Sequence, residues 1–353
     1  MLSYKFVCQR YQLPWYEYAA RQELTDENGL DYLIERSTLN MCDCFLRFAQ
    51  VRFGKLLIAA TFTAIAPKVG AADLEPRAYS NIPVGQNFIV AGYAFMNGGV
   101  GFSPAVPIKD AQLQVHTSIF AYARSLDIWG KSGKFDIIVP HAWFSGEALV
   151  AGEPRSRAVG GFSDPVVRLY VNLLGAPALS VKEFANYKQD TILGVSLAVS
   201  APGGQYDDQR LVNIGTNRWY FKPEIGLSKR LGPVTLELAA SAYIFTDNNQ
   251  PFQGRNLERD PLYAARGHLI YSFGSSGIWG SLDATFFTGA RSTMDGRRND
   301  DMQQTSRLGA SLAFPINRQN SIKLYGSSVV SAQSGANLDI IGIAYQHRWG
   351  SGF

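Results

Sequence analysis

Apolar and polar residues alternate along the chain after residue 73, with the period of two that is typical of β-strands. In the stretch VTLELAASAYIF, the even positions from Val234 to Ile244 are apolar, whereas the odd positions include Thr235, Glu237 and Tyr243. Twelve segments, including this one, are interpreted as strands, and several of them alternate as clearly. The strands are predicted at residues 86–96, 111–126, 133–144, 164–174, 190–201, 215–229, 233–246, 262–273, 277–289, 304–316, 320–330 and 338–350.

The connections between the predicted strands alternate between short and long. Short ones follow strands two, six, eight and ten, and long polar ones follow strands one, three, five, seven and nine. Barrels of the outer membrane show this asymmetry, with short periplasmic turns and long outer loops. The connection GAPALSVKEFANYKQ after strand four is an exception, because it is long on the short side; we expect a helical turn at residues 181–187.

The last predicted strand ends in AYQHRWGSGF, with aromatic residues at alternate positions. An open sheet edge cannot exist in lipid, so this strand must pair with the first one. We expect Tyr345, Trp349 and Phe353 to form the signal that the barrel-assembly machinery reads, with Trp349 and Phe353 at the inner membrane–water interface. The prediction is an all-β fold, a monomeric antiparallel up-and-down barrel of twelve strands in outer-membrane lipid. A soluble β-sandwich is the alternative.

Composition narrows the class of protein. Charged residues make up 18% of the chain, below the roughly 25% of soluble domains. The only long apolar run, at residues 56–66, is too short to cross a bilayer as a helix. A net charge of +4 without a basic, aromatic-rich run argues against a nucleic-acid partner. All three cysteines precede residue 45, so we expect no disulfide or cysteine-bound metal in the barrel.

The front of the chain carries an export signal. Arg47, Arg52 and Lys55 precede the apolar run, and small residues around Ala71 and Ala72 offer a cleavage site. This pattern predicts a signal peptide at residues 41–72 and a mature barrel at 73–353 in the bacterial outer membrane. Residues 1–40 are interpreted as a dispensable, non-native extension, with the start of the gene assigned too far upstream and Met41 as the true start, or as a genuine extension. A buried core helix is the alternative for the apolar run.

Charged residues on the predicted strands should face the barrel interior, since Arg or Lys facing mid-membrane lipid costs roughly 2–4 kcal/mol. The predicted lumen-lining residues, on the path of a solute, are Arg124, Arg168, Arg218, Lys222, Glu224, Glu237, Arg266, His268, Asp283, Arg307, Lys323 and Arg348. Two interpretations stay open. The residues form a ladder of ion pairs that fills the barrel, or they line an open path that favours anions.

No motif for catalysis is present. The chain lacks GxxxxGK[ST], HExxH and GxSxG, so we expect no enzyme activity, cofactor or metal. A lipid hydrolase would need a serine beside a histidine, and the candidates are His268 with Ser272 and His116 with Ser118. Alternation turns both histidines inward, away from lipid. The acidic stretch DGRRNDD at 295–301 lacks the spacing of a calcium loop and is interpreted as solvated loop charge.

Several segments of the mature region resemble a bacterial family of outer-membrane transporters named after the meta pathway of phenol degradation. They include SDPVVRLYVNLLGAPAL at 163–179, APGGQYDDQRLVNIGTNRWYFKPEIGLSK at 201–229 and DPLYAARGHLIYSF at 260–273. The resemblance implies passage of hydrophobic or aromatic compounds and specifies no binding residues. We therefore expect a passive channel for small, hydrophobic or aromatic, weakly acidic solutes. The alternatives are a structural or adhesive barrel and the lipid hydrolase.

Overall fold

The computed structural model describes residues 75–101, 108–150, 152–210, 213–248, 250, 256–333 and 335–350. The predicted extension at 1–40, the signal peptide at 41–72 and the terminal Phe353 lie outside these residues.

The described residues form sixteen strands and one short helix. In chain order the strands are β1 (Gln86–Gly101), β2 (Ile108–Ile128), β3 (Lys131–Val150), β4 (Glu153–Phe162), β5 (Val166–Leu174), β6 (Thr191–Ser200), β7 (Tyr220–Leu231), β8 (Val234–Phe245), β9 (Leu257–Arg259), β10 (Leu262–Ser272), β11 (Trp279–Gly289), β12 (Ser292–Met294), β13 (Arg297–Arg298), β14 (Gln303–Pro315), β15 (Asn320–Ala332) and β16 (Gly335–Gly350). Helix α1 (Val181–Phe184) lies between β5 and β6.

The strands close into a twelve-stranded antiparallel barrel, as the sequence predicts. Strand β1 pairs with β16 along its whole length, from Gln86 opposite Gly350 to Gly101 opposite Gly335. This pairing satisfies the backbone groups that an open edge would leave without partners. The helix in the described residues is too short and polar to cross a membrane.

One position in the barrel wall is shared by two strands. The C-terminal half of β3 pairs with β4, starting at His141 opposite Phe162. The N-terminal half of β3 pairs with β5, up to Ile138 opposite Val166. Residues 163–165 separate β4 from β5. The wall is therefore interrupted at this point, beside the connection at 201–219.

Alternation explains the two faces of the wall. On β7, Ile225 and Leu227 are exposed on the outer face, whereas Glu224 and Ser228 are buried on the inner one. Because an outer-membrane barrel has lipid outside, this arrangement keeps charge away from hydrocarbon.

The two ends of the barrel differ. The "turn end" carries the connections at 129–130, 175–190, 232–233, 273–278 and 316–319, and the "loop end" carries those at 201–219, 246–261 and 290–302. The predicted helical turn is confirmed as α1, where Ser180 and Glu183 form a capping box at the turn end.

The prediction of a long polar loop after strand three is wrong, and the segment has a different structure. It is a hairpin of β3 and β4, because β4 begins with EPRSR, whose polar residues on both faces hide the alternation. Strands β9, β12 and β13, which form a small separate sheet in the loops, were not predicted.

Candidate solute path through the barrel

Residues 75–85, called here the inner segment, run inside the barrel ahead of β1. Tyr79 is only 2% exposed, and its hydroxyl donates to Oε1 of Glu224 on β7 at 2.9 Å. The backbone N–H of Arg77 donates to Oε2 of Glu237 on β8 at 2.7 Å. Because both glutamates face inward from the wall, the inner segment occupies the lumen beside them.

Two glycines make room for the Tyr79 ring. A Cβ atom built on Gly226 would lie 2.0 Å from this ring, and one on Gly194 would lie 2.4 Å from it. Both positions are on inward faces of adjacent strands, β6 and β7. Any larger residue at Gly226 would therefore displace Tyr79.

The inner segment also brings charge into the lumen. The guanidinium of Arg168 donates to both oxygens of Glu75, at 2.6 and 3.1 Å, and through Nε to Asp136 at 2.7 Å. Burial alone would raise the pKa of Glu75, but the positive charges of Arg168 and Lys134 hold it well below its usual range. Glu75 is thus a carboxylate that anchors the inner segment to β5.

A second ionic group surrounds Glu224. This carboxylate pairs with Arg266 on β10 and lies 3.5 Å from Nζ of Lys222. Together with the hydrogen bond from Tyr79, these contacts join β7, β10 and the inner segment.

A third group centres on Asp283 on β11. Its Oδ1 lies 2.7 Å from Nδ1 of His268, and its Oδ2 accepts from the hydroxyls of Ser281 and Ser311 at 3.1 and 3.2 Å. All four side chains face the lumen and bridge β10, β11 and β14. The three groups form a lattice of paired charges across the inside of the barrel.

Ten of the twelve predicted lumen residues occupy inward positions on barrel strands. These are Arg168, Lys222, Glu224, Glu237, Arg266, His268, Asp283, Arg307, Lys323 and Arg348. Arg218 is also buried, but it lies in the connection just before β7.

Arg124 departs from the prediction. It is exposed, on the same set of alternate positions as Phe120, while Thr117 and Ser125 of the opposite set are buried. Arg124 is near the turn end, where a long side chain can carry its charge out to the interface. His116 also lies on this outer set, and its Nδ1 is 2.5 Å from the hydroxyl of Tyr93.

The geometry does not assemble the suggested pair of His268 with Ser272, and Nδ1 of His116 contacts the hydroxyl of Tyr93. His268 and Ser272 are four residues apart on β10, about 13 Å along a strand. The serines near His268 donate to Asp283 rather than to the imidazole.

The described residues contain no group of three or more potential metal ligands from His, Cys, Asp and Glu. In the acidic stretch at 295–301, Asp301 accepts bonds from the backbone and hydroxyl of Ser292.

An apolar cluster that was not predicted from the sequence faces the interior near the loop end. Its buried members are Ala94, Met96, Val100, Leu113, Val115, Ala142, Phe144, Ile214, Tyr325, Leu338 and Ile340. They come from β1, β2, β3, β15, β16 and the connection at 201–219. The apolar inward positions of β1 to β3 were the available signal, but apolar residues also occur on the outer face of these strands.

A cavity of about 380 Å³ lies beside this cluster, between the loop ends of β1, β2 and β15. Val100 and Ala111 line the cavity and also belong to or pack against the cluster. The cavity therefore lies at the loop end, next to the apolar cluster.

A closed barrel with an apolar outer surface and a charged interior defines the fold class of outer-membrane β-barrels. Comparison with solved structures agrees with this fold class. The COG4313 outer membrane channel from Pseudomonas putida F1 matches with a TM-score of 0.66 and 17% identity, over 78% of this chain and 100% of that one. At this identity the likeness shows the fold alone.

Two further solved structures are more distant. The β domain of the Bordetella autotransporter BrkA matches at TM-score 0.43 and 11% identity, over 76% of this chain and 99% of that one. The transport unit of AIDA-I from Escherichia coli matches at TM-score 0.43 and 9% identity, over 76% and 90%.

The chain belongs to the family described as "Putative MetA-pathway of phenol degradation", whose model matches residues 95–338. This confirms the resemblance seen in the sequence. No curated protein matches the chain.

Proposed function

We propose that this protein is a passive, non-enzymatic channel of the outer membrane for small hydrophobic or aromatic solutes. The observation that carries the proposal is the apolar cluster that faces the barrel interior at the loop end. Channels for hydrophilic solutes have polar interiors, whereas apolar surface favours apolar solutes by about 25 cal/mol per Å² removed from water. Family membership supports the aromatic class of solute.

The solute enters from the loop end through the cavity at Val100 and Ala111 and reaches the apolar cluster. Beyond the cluster, the inner segment and the lattice of paired charges fill the lumen. Passage then requires displacement of the inner segment, since Tyr79 and Glu75 are anchored to the wall on both sides.

The same proposal places the protein in the outer membrane as a monomer, with its turn end in the periplasm. Export by the predicted signal peptide and insertion by the barrel-assembly machinery through Tyr345, Trp349 and Phe353 are part of it. Tyr345 is exposed on β16, where its hydroxyl donates to Asn320, and Trp349 packs against Tyr122.

Uptake of radiolabelled toluene tests the proposal in bacterial cells whose outer leaflet is lipopolysaccharide, which slows the entry of hydrophobic compounds. Cells that make the protein should take up toluene faster than cells with an empty vector. Val115→Thr, which keeps the side-chain volume but adds a hydroxyl inside the apolar cluster, should reduce the gain. Val139→Thr makes the same change on the outer face, where Val139 is 36% exposed, and serves as the matched control.

A structural barrel without transport is the second candidate, and the filled lumen favours it. It predicts equal toluene uptake with and without the folded protein. That result would overturn the channel proposal.

A further inference from the structure

Arg218 is a buried cation at the loop end of the barrel. Its side chain is 7% exposed, and its guanidinium carbon lies 4.8 Å from the ring centroid of Phe245, at the end of β8. Within the part of the chain that the structure describes, Nη1 of Arg218 is buried and has no hydrogen-bond partner. A buried N–H of a charged group without an acceptor is costly, so an acceptor is expected at this point.

A second buried arginine adds to the positive charge. Arg259, at the end of β9, is 9% exposed. Burial and the positive charge of Arg259 lower the pKa of Arg218 to about 9. An anion close to Arg218 would relieve both effects, because it would stabilise the charged guanidinium.

The acids around Arg218 do not supply this anion to Nη1. Asp164 contributes charge, but its oxygens accept from the N–H of Gly204 at 2.9 Å and from the N–H and hydroxyl of Thr216 at 2.8 and 2.6 Å. Asp247 also contributes charge and is exposed in the connection after β8.

The Phe245 ring beside the guanidinium belongs to a group of aromatic rings on the inner face of β7 and β8. The Tyr243 ring is stacked on that of Phe245 with centroids 6.4 Å apart, and the Tyr220 ring is 5.6 Å from that of Tyr243. Nζ of Lys222 lies 4.8 Å from the Tyr243 ring and brings a further cation. Planar rings beside a guanidinium fork match a ligand that carries both an aromatic ring and a carboxylate.

We propose that Arg218 binds the carboxylate of an aromatic acid inside the loop end of the barrel, with the ring of the acid against Tyr220, Tyr243 and Phe245. This site deepens the proposed function and rests on it in treating the aromatic acid as a solute of the channel. The geometry assigns the carboxylate to Nη1 and its neighbouring N–H groups, since a planar fork binds a carboxylate through two parallel bonds.

Binding of benzoate to the refolded full chain in detergent tests the site by calorimetry. Benzamide tests the need for charge, and acetate tests the need for a ring. We expect benzoate to bind more tightly than either. Arg218→Gln should weaken benzoate binding about tenfold or more, as expected when one charge-assisted hydrogen bond is lost. Arg218→Lys keeps the charge but not the fork and should give an intermediate loss.

Arg210→Gln is the matched control. Arg210 is in the same connection, but it is exposed and pairs with Asp207 at 3.7 Å, so its replacement should leave benzoate affinity unchanged. The heat-dependent shift in gel mobility verifies that each variant is folded. If Arg218→Gln does not fold, the benzoate affinities of Arg218→Lys and Arg210→Gln are compared. Weaker binding by Arg218→Lys supports the site, and equal binding overturns it.

Three results would overturn the site: equal benzoate affinity in the wild type and folded Arg218 variants, equal binding of benzamide and benzoate, or equal binding of acetate and benzoate. Toluene has no carboxylate, so its uptake does not depend on Arg218. Toluene uptake without benzoate binding therefore refutes this site alone. Benzoate binding without toluene uptake leaves the site in place and refutes the proposed channel.

Discussion

Gly226 is the position at which a single methyl group should disturb the inner segment most. Its Cβ in Gly226→Ala would lie 2.0 Å from one atom of the Tyr79 ring and 2.5 Å from two others. The ring has little room to move away, because Gly194 faces it from the neighbouring strand and Tyr170 packs edge-on at 5.9 Å. We therefore expect the methyl group to expel Tyr79 from its site.

The size of the effect follows from the contacts that Tyr79 would lose. Its hydroxyl donates to the Glu224 carboxylate at 2.9 Å, and a hydrogen bond to a charged group contributes about 1.5–3 kcal/mol. Burial of a large side chain contributes about 1.5–3 kcal/mol more. The anchored state of Tyr79 should lose about 3–6 kcal/mol, or roughly a hundredfold to ten-thousandfold in population.

Single-channel recording in planar bilayers measures the consequence. The Gly226→Ala barrel should conduct ions better than the wild type, because the lumen beside Glu224 is emptied. Gly267→Ala is the matched control, since its new Cβ would lie 3.5 Å from the nearest atom, an ordinary contact. A folded Gly226→Ala barrel with the conductance of the wild type would refute the placement of Tyr79 as the obstruction.

Three other predictions concern stability and assembly. Arg168→Gln should lower the free energy of unfolding by about 3 kcal/mol, because Asp136 and Glu75 lose their shared partner; an unchanged midpoint in heat-dependent gel mobility would contradict this. The hydrogen bond from Lys229 lowers the pKa of Asp190. The charged Asp190 side chain therefore contributes stability at pH values above the ordinary carboxyl pKa, and this contribution disappears as the pH falls through the lowered pKa. Asp190→Asn should therefore weaken the acid dependence of unfolding, and an acid titration identical to that of the wild type would count against it. Deletion of Phe353 should reduce the yield of folded barrel in membranes, and a normal yield of heat-modifiable protein would show that the terminal aromatic is dispensable.

Much of the wall could be predicted because alternation needs only a contrast between two faces. Lys222 and Glu224 alternate with Phe221 and Ile225, so both the strand and its inward face can be predicted from the amino-acid sequence. Arg124 breaks the rule because charge is tolerated outside the barrel near an interface, where the polarity of a residue no longer decides its face.

The inner segment could not be predicted in the same way. Residues 75–85 form no strand, so no periodicity marks them, and their partners are far away in the sequence. The available signal was the pair Gly194 and Gly226, which leave the interior without side chains where two strands meet. A gap of this kind requires something to fill it, since folded proteins leave few voids.

The site around Arg218 shows the same limit. The sequence marks Arg218 as an inward charge, but Arg259 comes from a loop strand that alternation does not reveal. Only the folded chain brings the two arginines near each other, because the loops converge at one end of the barrel.

The central claim, that aromatic solutes occupy the barrel interior, is tested most directly by ionic current through single barrels with phenol added on the loop side. The measurement uses the wild type and Gly226→Ala, with an unrelated porin as the control for effects of phenol on lipid. We predict that phenol reduces the current through Gly226→Ala in proportion to its occupancy, and that Val115→Thr in the same background weakens the block. A current that phenol leaves unchanged at every concentration would contradict the account.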